Sequence, residues 1–130
     1  MNIGVAAGRS GVPAKTIRYY ESIGLIPEAG RSGAGYRRYG ESDVATLRFI
    51  QRARGLGFSV REVGDLLTLW RDRARASGDV KRMALKHVAE IERKIAELQS
   101  MRRTLLDLTR RCQGDDRPDC PILDDLARHS

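Results

Sequence analysis

The stretch Gly11-Val-Pro-Ala-Lys-Thr-Ile-Arg-Tyr-Tyr-Glu-Ser-Ile-Gly-Leu-Ile-Pro27 decides how the N-terminal part of the chain is read. Pro13 stands at a favoured early helix position, Ile17 supplies an inward side, and Gly24 to Pro27 is a helix stop. Ahead of it, Ile3 to Ala7 reads as another short helix. Gly8 to Val12, with two glycines and a serine, reads as the turn between them. Helices over Ile3 to Ala7 and Pro13 to Ser22 at this separation have helix-turn-helix spacing. The second helix buries Ile17 and one tyrosine. It leaves Lys15, Thr16, Arg18 and Tyr19 or Tyr20 to face a partner, and it suits a DNA major groove.

Downstream, Gly30-Arg-Ser-Gly-Ala-Gly-Tyr-Arg-Arg-Tyr39 interleaves glycines with Arg and Tyr, the composition of a two-stranded wing that grips backbone phosphates. Arg31, Tyr36 and Arg37 are its candidate DNA contacts, and packing under the wing is the alternative for Tyr20 and Tyr39. A third helix follows Gly40 with Val44, Leu47, Phe49 and Ile50 at helical spacing, until Gly55 and Gly57 end it. Ser59 with Glu62 three residues later is a capping box. It opens a fourth helix whose expected buried side is Val63, Leu66, Leu67, Leu69 and Trp70.

From Asp79 the apolar residues Val80, Ala84, Val88, Ile91, Ile95, Leu98, Met101, Leu105 and Leu108 recur in steps of three and four. Such a helix is about 50 Å long at 1.5 Å per residue and too narrowly apolar to be buried by a small N-terminal core. It needs a partner helix, and the chain that remains is too short to supply one. The simplest partner is the same helix of a second copy, a homodimer that presents two recognition helices to a pseudo-palindromic site. The 130 residues carry a net charge of +7, which fits an anionic partner, nucleic acid first. Without a membrane-length apolar run or a signal-peptide pattern, a cytoplasmic protein is expected.

The two cysteines lie in Cys112-Gln-Gly-Asp-Asp-Arg-Pro-Asp-Cys120-Pro121, just past the long helix. Two thiolates favour a soft cation such as Cu(I), whereas zinc takes four ligands and the loop holds no histidine. A disulfide closing a small loop, or two unrelated thiols, are the competing readings, the former uncommon in a reducing compartment. His87 beside the apolar stripe and His129 near the C-terminus are simpler as interface and tail residues than as ligands. Asp115, Asp116 and Asp119 read as turn acids rather than a hard-metal site.

Taken together, Gly11 to Pro27, Arg31, Gly35-Tyr-Arg-Arg-Tyr39, Arg54-Gly-Leu-Gly-Phe-Ser59 and the Cys112 to Cys120 loop resemble the MerR family of transcription regulators over essentially the whole chain. The loop, with Asp115, Asp116 and Pro121, is similar to the copper-efflux (CueR-type) branch. The resemblance implies a mainly α fold. It further implies that residues 1–70 are a winged helix-turn-helix DNA-binding domain, 71–78 a linker and 79–111 a dimerisation helix in an antiparallel coiled coil. By the same resemblance residues 112–120 are expected to form the metal-binding loop, and 121–130 a short helix and tail.

The resemblance also implies that Ser77 faces the partner's metal loop, where divalent-ion members carry a cysteine. With Cys112 and Cys120 as the sulfur donors, a linear site for Cu(I), Ag(I) or Au(I) follows, and a four-cysteine iron-sulfur cluster does not. A non-enzymatic activator is implied, acting with RNA polymerase on double-stranded promoter DNA that metal binding distorts. Two other classes compete: a cytosolic copper buffer or chaperone without DNA binding, and a thiol oxidoreductase, which the seven-residue gap between the cysteines disfavours.

Overall fold

Asn2 starts the first helix, its side chain accepting the Val5 amide, and Gly11 ends it in a left-handed turn at φ 79°, donating its N–H to Ala7. This computed structural model describes residues 1–28, 30–31 and 37–128. Its elements are α1 (Ile3–Ser10), α2 (Ala14–Ser22), β1 (Gly30–Arg31), β2 (Arg37–Arg38), α3 (Glu41–Gly55), α4 (Val60–Arg71), α5 (Ser77–Arg111) and α6 (Pro121–Arg128). The first helix therefore runs three residues beyond the expected Ala7. Gly8 sits on an open helix face where an added Cβ would meet nothing, whereas Gly11 holds the positive φ that stops a helix. Pro13 is the N-cap of α2, extended at ψ 146°.

Two compact units follow the chain order, Met1–Val80 and Lys81–Ser130. In the first, α1 packs on α2 and α3, and α3 packs on α4. Ala6, Val12, Ile17, Val44, Leu47, Ile50 and Val63 are all but completely buried between them. Each large aliphatic side chain so buried contributes about 1.5–3 kcal/mol. The box at Ser59 closes as expected: its hydroxyl accepts the Glu62 amide at 3.1 Å, and Glu62 accepts the Ser59 amide at 2.8 Å. One expected core residue stands elsewhere. Trp70 is 42% exposed and stacks one face on Phe49, ring centroids 4.5 Å apart. Trp70 follows Val63 and Leu67 on the same side of α4 but in its last turn, where Phe49 covers one face of the ring.

α5 has 35 residues and begins at Ser77, two residues before the expected start. Most of its apolar stripe lies open, with Val88 46%, Ile95 48%, Leu98 62% and Leu105 52% exposed, while Leu108 is buried. Among the described residues, no helix is long and apolar enough to cross a membrane.

Candidate DNA-binding surface and thiol site

Helical spacing gives α2 two different faces. Ile17, Tyr20 and Glu21 point inward, while Lys15, Arg18 and Tyr19 are exposed and Thr16 is half-buried. Four of the five helix residues expected to meet DNA therefore share the open side. Tyr20 is the correction: 6% exposed, it belongs to the hydrophobic core three residues after Ile17, and its ring is not available to a groove. Its neighbour Tyr19 lies 6.0 Å away centroid to centroid, at an interplanar angle of 49°.

β1 and β2 pair antiparallel, with Gly30 opposite Arg38 and Arg31 opposite Arg37. This is the expected wing, and it sets two of its candidate contacts, Arg31 and Arg37, directly across the ladder from each other. Tyr36 lies outside the described residues, as does His129. Behind the wing Tyr39 is buried, and its hydroxyl donates to Glu21 on α2 at 2.6 Å. The first turn of α3 is tied to α1. Arg9 reaches Glu41 with both terminal nitrogens, one at 2.7 Å, and Arg48 donates to the Arg9 carbonyl at 3.0 Å. The Arg9 hydrogen bond holds the Glu41 carboxyl below the usual carboxylate range, with smaller help from the charges of Arg9 and Arg48.

The cysteines mark two helix ends. Cys112 directly follows α5 and donates its amide to Thr109 at 3.2 Å. Cys120 directly precedes α6, and its carbonyl accepts the Asp124 amide at 3.0 Å. Both thiols are free and half-buried. Gly114 takes φ 66°, and Asp115 accepts the Arg117 amide at 2.9 Å while its other oxygen lies 3.4 Å from the Arg117 guanidinium. That pairing makes Asp115 a turn former, as its sequence context suggests. An anion held at Cys120 would sit at the amino end of α6, where backbone N–H groups favour negative charge. Ser77 is exposed at the first residue of α5. His87 lies within α5, its Nδ1 3.8 Å from Glu90.

Glu21 is the residue that sequence reasoning passed over. Its signal was present: an acid four positions after Ile17 falls on the inward side of α2.

Comparison with known proteins agrees with this geometry. The profile described as MerR HTH family regulatory protein matches residues 1–69, and that described as MerR, DNA binding matches residues 44–108. The heavy metal-dependent transcription regulator 2 of Rhizobium meliloti is 61% identical over all of this chain and 88% of its own length. The HTH-type transcriptional regulator CueR of Salmonella typhimurium is 47% identical, over 98% of this chain and 92% of its own. The crystal structure of the transcription regulator PbrR691 from Ralstonia metallidurans, in complex with lead(II), superposes with a TM-score of 0.85 at 34% identity, covering 97% of this chain and 98% of that one. With its helix-turn-helix, wing and long C-terminal helix, the chain belongs to the MerR family of DNA-binding transcription regulators, and not to an enzyme family.

Proposed function

We propose that this protein is a homodimeric, heavy-metal-responsive transcription activator whose inducer is Cu(I), with Ag(I) and Au(I) as alternative inducers. The observation that carries the reading is the pair of free, half-buried thiols, one just after α5 and one just before α6, in a loop without histidine. A two-sulfur donor set suits a soft monovalent ion and leaves zinc short of ligands. The relatives named for heavy metals and as CueR support this choice. Cys112 and Cys120 are the metal ligands in this reading. Ser77, where a third thiolate would stand in a divalent-ion site, adds no sulfur.

DNA is met by Lys15, Thr16, Arg18 and Tyr19 from α2 and by Arg31, Tyr36 and Arg37 from the wing. Most such contacts go to phosphates and set position, while a smaller number read bases. Two copies joined along the stripe of α5 present two recognition helices to a pseudo-palindromic promoter. Metal capture orders the loop between the helices and favours docking of α6, whose Leu123 and Leu126 are exposed. The ion shifts the equilibrium only by binding the DNA-distorting form more tightly than the relaxed one. The distorted duplex then aligns the promoter for RNA polymerase, so the response is stored in DNA shape. Function in the cytoplasm fits this role.

In vitro transcription from a two-fold symmetric promoter, under reducing conditions with Cu(I), Ag(I), Zn(II) or Hg(II), tests the reading alongside occupancy of the DNA. Induction by the monovalent ions at unchanged occupancy is expected. Cys112→Ser and Cys120→Ser should each abolish induction and leave DNA binding intact. No duplex binding, with Cu(I) still held by the thiols, would point instead to a copper buffer.

A further inference from the structure

The inward side of α2 carries a carboxylate where an apolar residue would pack without cost. Glu21 is 5% exposed and Tyr39 4%, and the phenol donates to the carboxylate at 2.6 Å. Tyr39 is the residue that leaves β2, and its backbone is fixed as well. Its N–H donates to the Met1 carbonyl at 2.7 Å, and its own carbonyl accepts the Met1 ammonium at 2.8 Å. The exit of the wing is thereby joined to the recognition helix and to the chain ahead of α1. A buried polar pair is a weaker source of stability than apolar packing of the same volume, so stability alone is a poor reason for it. What a directional buried bond supplies that apolar packing does not is one fixed register between two elements.

We propose that Glu21 and Tyr39 are positioning residues that set the wing against the recognition helix, so that both reach the same stretch of duplex. This rests on the DNA-binding reading above. Neither side chain touches DNA. Both act through Arg37, two residues before Tyr39, and Arg31, paired with Arg37 across the ladder, and through the exposed face of α2.

The test is fluorescence-anisotropy titration of a labelled two-fold promoter duplex over a salt series, with thermal unfolding and Cu(I) uptake against a chromophoric chelator measured on the same samples. Tyr39→Phe, which changes no charge, is expected to bind about ten-fold more weakly and with a shallower salt dependence, because wing phosphates are no longer engaged. Cu(I) uptake should be unchanged. Glu21→Gln keeps an acceptor for the phenol and should retain the parental salt slope. The double variant Glu21→Leu with Tyr39→Phe removes the buried acid and refills the space. It should still fold, as thermal unfolding would show, and bind DNA weakly even though it has one more net positive charge.

Parental affinity and slope in Tyr39→Phe or in the double variant would overturn the positioning role. So would a Glu21→Gln protein that loses the slope, or losses that follow the unfolding temperature alone. A parent that binds no duplex would overturn the DNA-binding reading, and this proposal with it.

Discussion

Glu41 contributes to folded stability only while ionised, because its hydrogen bond from Arg9 holds its carboxyl below the usual carboxylate range. A depressed folded value means the contribution is fully present above the ordinary carboxylate range and is lost as pH falls through the folded value. Arg9→Ala should therefore lower stability slightly at neutral pH and leave it unchanged once Glu41 is protonated, so that the acid side of the stability profile becomes flatter. Unfolding curves from neutral pH down into the carboxylate range check this. The effect should be small and should fade at high salt, since both groups lie in solvent. Leu47 is the opposite case, fully buried in the first unit. Leu47→Ala should cost about 3 kcal/mol, read as a lower urea midpoint. Which positions are inward follows from spacing for Leu47, Ile50 and Val63, because the 3.6-residue period alone decides it. It did not place Tyr20 or Trp70. An aromatic beside the apolar line packs or stays open according to what the neighbouring helix offers, and Phe49 gives Trp70 a surface to stack on without covering it.

The start of α4 was easier to read than the end of α1. The box at Ser59 is a local pattern whose two hydrogen bonds form wherever the helix begins, so its position carried over directly. Removing the hydroxyl with Ser59→Ala should cost about 1 kcal/mol of domain stability, measured by thermal or urea unfolding. Glycines at a helix end were ambiguous because composition does not state φ. Gly8 continues α1 and Gly11 stops it, and only the left-handed backbone at Gly11 tells them apart. Gly11→Ala should consequently destabilise the protein by about 1 kcal/mol, whereas Gly8→Ala, on an open helical face, should stabilise it by a few tenths to about 1 kcal/mol. The wing and the thiol loop were located by composition, glycine with arginine in one and paired cysteines in the other. The link from Glu21 to Tyr39 joins residues 18 apart through a turn and a strand pair, and no periodic pattern carries that information.

Assembly follows from what α5 leaves uncovered. A helix of 35 residues with Val88, Ile91, Ile95, Leu98, Met101 and Leu105 all exposed has no counterpart of matching length among the described residues. Steps of three and four keep these residues on one seam, the pattern of a two-helix coiled coil. The proposed homodimer buries that seam, and it makes DNA binding bivalent, since each copy brings one recognition helix and one wing. Tethering two such modules raises affinity over one by 10²–10⁴ through effective concentration. Leu98→Glu, which places a charge at the centre of the seam, should therefore separate the copies in sedimentation equilibrium. It should also weaken binding to a two-fold promoter duplex by about 100-fold or more. The fold of the Met1–Val80 unit should survive, because its core lies in α1 to α4, and circular dichroism would report this. A Leu98→Glu protein that stays dimeric would place the interface somewhere other than this stripe. A monomer that keeps parental affinity would show that one copy is sufficient for the promoter.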